Sequence, residues 1–143
     1  MTGHDPIDVD RLSDDQLVAA LQAGIVDSDW PEQAAVDLLV QHRSWLSRFE
    51  LRQAVEAAVL DGELCAWVAW PYVDMDAPAS SGELRILTIA RSLGGVACER
   101  DLGDLLTSLN ETNTAWVLRA VSIACRGPGA VEGGAIERGE GVS

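Results

Sequence analysis

The sequence predicts a mainly α domain, a small bundle of about five to six helices with at most one or two short strands near residues 64–70 and 96–98. Three observations predict it. Apolar residues recur at the i, i+3, i+4 spacing of helices with one buried face. Capping signals, either Ser-x-x-Glu/Gln boxes or a single Asp or Asn, stand just ahead of these runs. Glycines stand just behind them. A chain of 143 residues, 48% of them apolar, can bury a real core as one domain without disulfides or metal.

Residues 1–12 show no sustained period and read as a flexible acidic arm. Ser13 and Gln16 form a capping box ahead of Leu17, Val18 and Leu21, with Gly24 closing that helix. Asp29 opens a second helix, with Pro31 in its first turn and Ala34, Ala35, Leu38, Leu39 and His42 on one face. Ser47 and Glu50 read as another box, opening a helix through Phe49, Ala54, Val55 and Ala58 to Asp61-Gly62, with Trp45 and Leu46 in the corner before it. Ser80 and Glu83 open a helix to Leu93, ended by Gly94-Gly95. A short helix follows around Leu102, Leu105 and Leu106. Asn110 caps the last helix, with Trp116, Val117, Ala120, Val121 and Ala124 on one face and Gly127 beyond it. The domain therefore spans residues 13–126, and residues 127–143, with six glycines, read as a disordered tail.

The stretch CAWVAW, residues 65–70, carries two of the five tryptophans and no polar side chain. As a strand it alternates Ala66, Val68 and Trp70 with Cys65, Trp67 and Ala69; as a helical turn it puts Trp67 and Trp70 on one side. Either way two indoles of about 200 Å² each need cover. The ladder partner within the chain is then Val96-Ala97-Cys98; the alternatives are a symmetric copy in a homodimer or another protein. Trp67, Trp70 and Tyr72 are accordingly the candidate partner-binding residues, whereas Trp30, Trp45 and Trp116 lie on or beside apolar helical faces and belong to the core.

The net charge is −13, with ten arginines and no lysine. Arginine codons can be GC-rich and lysine codons cannot, which points to a high-GC actinobacterium or its phage. The N-terminus lacks the basic and apolar regions of a secretory signal, and no apolar run reaches membrane length, so a cytoplasmic protein is expected. Cys65, Cys98 and Cys125 are an odd set, some thirty residues apart, and read as buried reduced thiols.

The chemistry-bearing residues are few. His4 sits in the arm and His42 on an apolar helical face. No nucleophile elbow, zincin motif or phosphate loop is present. Asp74-Met-Asp76 has the form of a metal-holding D-x-D, but stands alone in a proline-flanked loop. The chain is thus expected to be non-enzymatic, with no cofactor and no metal. Three readings remain. The first is a protein-binding module. The second is a helix-turn-helix regulator whose helix 111–126 presents Thr112, Asn113, Thr114 and Arg119 to DNA, although few arginines flank that helix and phosphates demand many. The third is an acidic DNA mimic, for which residues 30–126, with thirteen acids among eight arginines, supply a poor row of carboxylates.

Overall fold

A computed structural model describes residues 7–131. The fold is mainly α, with six α-helices and one two-stranded antiparallel sheet among the described residues. The expected arm before residue 7 and the expected tail beyond residue 131 lie outside the described residues.

The Ser13 box forms as read: the Gln16 N–H donates to Ser13 Oγ at 3.1 Å and the Ser13 N–H donates to Gln16 Oε1 at 2.8 Å, starting α1 (Asp14–Ile25). Gly24 does not end this helix but lies in its last turn. Asp29 Oδ1 caps α2 (Trp30–His42) by accepting from the Glu32 N–H, and Arg43 ends it at a φ of 68°. α2 is the central helix: α6 packs along one side, α4 along another, and α1 adjoins it while also covering the sheet. Ala34, Ala35, Leu38 and Leu39 are accordingly fully buried. Trp45 and Leu46 are buried in the turn that follows, as the sequence places them.

The expected helix from Ser47 to Asp61 does not form. Ser47 Oγ turns back to the Ser44 carbonyl, and only the single turn α3 (Phe49–Arg52) is helical, with no side-chain cap. The chain then runs into β1 (Val55–Leu60), turns at Asp61-Gly62 and returns as β2 (Glu63–Val68). Val55 pairs with Val68 and Leu60 with Glu63. Both turn residues have positive φ, 51° and 81°, the two-residue turn whose twist matches a hairpin. Asp-Gly between two apolar runs is the sequence signal for this turn, and it outweighs the Ser47–Glu50 box that suggested a helix. The sheet face carrying Val55, Ala57, Ala66 and Val68 joins the core. CAWVAW is therefore a strand through Val68, and its ladder partner is β1 rather than Val96-Ala97-Cys98.

A short 3-10 turn (Trp70–Tyr72) and a loop lead to α4 (Ser81–Leu93), whose capping box with Glu83 forms in full. Then come α5 (Leu102–Thr107) and α6 (Glu111–Arg126), the latter capped by Asn110. The buried side of α6 is Asn113, Val117, Ala120 and Ile123, so Val121 lies off the face the sequence assigned it to. Order extends past both expected domain limits. Val9 is buried in a 3-10 turn, and Val131, after the turn Pro128–Ala130, packs against the core.

Candidate interaction surface

The residues first singled out for partner binding do not form one surface. Trp70 is 3% exposed and lies flat against Gly94, where any Cβ would stand 2.5 Å from its ring. Trp67 is half-buried, and its indole N–H donates to the Gly24 carbonyl at 2.9 Å. The sheet and α1 are in such close contact there that Gly24 has no room for a side chain against the Ala66 carbonyl. Tyr72 alone of the three stands in solvent, 81% exposed. Internal packing covers the indoles.

The four residues of the DNA reading separate in the same way. Asn113 is buried beside Gly82, and its backbone N–H is taken by the Asn110 cap. Arg119 Nε donates to both carboxylate oxygens of Asp37 on α2, at 3.1 and 3.0 Å. Only Thr112 and Thr114 are exposed. α6 lies chiefly along α2, not across the α4–α5 pair as a recognition helix would.

One cluster has the residue types of a catalytic site. Ser44 Oγ lies 3.1 Å from His42 Nδ1 and donates to Glu83 Oε2 at 3.0 Å. Arg48 bridges the same oxygen at 2.8 Å, and its guanidinium sits 4.8 Å above the Trp45 ring. The electronic order is not that of a triad, in which the imidazole takes the hydroxyl proton. Here the hydroxyl donates to the carboxylate. The Ser80 N–H above all, then the Ser44 hydroxyl and Arg48, hold the Glu83 carboxyl at about 2, which makes it a feeble base at neutral pH. His42 is held below its ordinary value by burial and packs edge-on against Trp116, with ring centres 5.5 Å apart. The cluster fastens the turn after α2 to the start of α4.

The Asp74-Met-Asp76 pair closes on itself, the Asp76 N–H donating to Asp74 Oδ1 at 2.9 Å. No group of three potential metal ligands occurs among the described residues. A groove of about 570 Å³ runs between α4 and the segment 96–100, lined in part by Leu84, Thr88, Arg91 and Cys98. Arg91 is already committed to the Trp70 and Pro71 carbonyls and Arg100 to Asp104. The thiols differ from one another: Cys65 is buried, Cys98 half-buried, and Cys125 exposed, contrary to the uniform burial expected.

Cys125 belongs to the outward side of α6. Leu118 is 62% exposed, Val121 46%, and Ala115, Thr114 and Cys125 are also in solvent. These positions follow the 4-3-4 spacing 114, 118, 121, 125, so they form one stripe that runs alongside the buried face, next to Val117 and turned away from Ala120 and Ile123. The stripe holds no charge. Trp30, assigned by the sequence to the core, is instead half-exposed; it lines a shallow depression with Ala124 and lies against Gly127. The sequence reading missed this surface because Val121 was counted with the core face and Leu118 with neither. A helix with apolar residues at both 117/120 and 118/121 was the available signal.

The chain matches no family model, no curated protein and no solved structure. Class is therefore defined by geometry: a small mainly α fold with one β-hairpin, in which no helix among the described residues is long and apolar enough to cross a membrane.

Proposed function

We propose that this protein is a non-enzymatic protein-interaction module, working in the cytoplasm of a high-GC actinobacterium or its phage, and that it binds its partner through the outward face of α6. The observation that carries this reading is the uncharged stripe centred on Leu118 and Val121 of a helix whose other face is already occupied by α2. An amphipathic surface helix presents polar residues to water. Two adjacent large aliphatic side chains in solvent, flanked by Ala115 and Cys125 rather than by charges, are the apolar centre expected of an interface.

The test is affinity capture from a host lysate after nuclease treatment, comparing wild type with Leu118→Glu/Val121→Glu. Both substitutions fall on exposed positions, so the melting temperature is expected to stay within a few degrees. The reading predicts a stoichiometric protein that survives nuclease and is lost from the variant. Identical capture by the two proteins, together with identical self-association, would overturn it.

A further inference from the structure

We infer that the occupant of the α6 face is a second copy of this chain, packed antiparallel across a two-fold axis between Leu118 and Val121. This rests on the interaction-face reading above and adds the partner and the geometry. The ground for it is self-complementarity. A two-fold interface needs a patch that matches itself when turned around. Reversing α6 about that axis sets Leu118 against the partner's Val121 and Thr114 against the partner's Cys125. Large aliphatic residues then meet at the centre and small ones at the flanks, with Ala115 and Ser122 beside them to permit close approach of the helix axes.

The charges agree with the same operation. Glu111 is in the first turn of α6 and Arg126 in the last. Both are exposed, and neither has an ion-pair partner among the described residues. Antiparallel pairing brings Glu111 of each copy within about two residues of the partner's Arg126, an axial offset of about 3 Å that these long side chains span. Parallel pairing would set Glu111 against Glu111 and Arg126 against Arg126. The helix dipoles also oppose one another favourably only in the antiparallel arrangement. With Arg119 neutralised by Asp37, the charges α6 leaves free are Glu111 and Arg126, so this helix is neutral on an acidic chain. α6 is 16 residues long, about 24 Å.

Sedimentation equilibrium of the full chain over a concentration series is the first experiment. Expected is a reversible rise from 15.3 kDa to twice that mass. Leu118→Glu should weaken association at least tenfold without changing the circular dichroism spectrum. Glu111→Arg and Arg126→Glu should each weaken it severalfold, and the double reversal should restore it, a rescue that general misfolding does not mimic. Cross-linking then fixes the direction. In a Cys98→Ser background, Cys125 faces Thr114 and lies about 16 Å along the axis from its own copy, so copper-phenanthroline leaves the chain uncoupled. Adding Thr114→Cys should give a covalent dimer. Cross-linking through Cys125 without that substitution would overturn the antiparallel geometry. A wild type that stays monomeric overturns the proposal. If Leu118→Glu/Val121→Glu nevertheless loses a lysate partner, the interaction-face reading stands alone; if capture is also unchanged, both fall.

Discussion

Arg52 shows what a single residue contributes that its type does not advertise. It is an arginine at 8% exposure, and its guanidinium donates to the carbonyls of Leu46, Val9 and Leu12 and to Asp14. It thereby ties the segment before α1 to the turn after α2. Nothing in the local sequence distinguishes it from the exposed arginines, because its partners are backbone carbonyls up to 43 positions away. Arg52→Ala leaves those carbonyls unpaired, and urea unfolding should show a loss of about 3 kcal/mol. Glu83 gives a pH signature. Its folded pKa lies at about 2, below its ordinary 4.5, so its stabilising contribution is complete above about 4.5 and is lost as pH falls through 2. The carboxylate is 21% exposed, and solvent screening reduces the contribution to about 1–2 kcal/mol. His42 adds a second window in the same direction: its pKa is lowered from 6.5, so stability begins to fall as pH drops below that value. Glu83→Gln should remove the lower window from the stability–pH curve and, because the Glu83 carboxylate holds the His42 pKa up against burial, widen the upper one toward lower pH.

At the scale of elements, the caps were legible and the hairpin was not. Ser13, Asp29, Ser80 and Asn110 all start the helices assigned to them, because a cap is a contact between residues three apart and needs no tertiary information. Ser47-x-x-Glu50 has the same spelling and fails, because residues 55–60 gain more by pairing with 63–68 than by continuing a helix. Glycines divide by the same logic. Gly24 reads as a helix stop but serves as the point where α1 and β2 touch; a Cβ there would stand 2.2 Å from the Ala66 carbonyl oxygen. Gly24→Ala should therefore cost about 1–3 kcal/mol. Gly103, in α5, has open space around it, and Gly103→Ala should stabilise by about 0.5–1 kcal/mol through backbone entropy. Thermal melting of the two variants should move in opposite directions.

For the whole molecule, charge opposes association. Two chains at −13 repel one another at low salt by more than a pair of surface ion pairs, at about 0.2–1 kcal/mol each, can offset. The dimer should accordingly tighten as salt rises from about 10 mM to about 150 mM, where the screening length falls to about 8 Å. Sedimentation at the two salt concentrations reads the sign directly; a dimer that weakens with salt would show that ion pairs, not the Leu118–Val121 contact, hold it.

The sequence by itself determined the mainly α class, four helix starts and the burial of Trp45 and Leu46, since these follow from local periods and caps. It also required that CAWVAW be covered, because two indoles cannot remain in water. What covers them was decided only by the tertiary structure: β1, α1 and Gly94, elements up to 43 residues from the tryptophans they meet. The same holds for the outward face of α6. Leu118 and Val121 are as apolar as Val117 and Ile123, and composition cannot say which pair turns toward the core. The position of α2 decides it, by occupying one side of α6 and leaving the other in solvent.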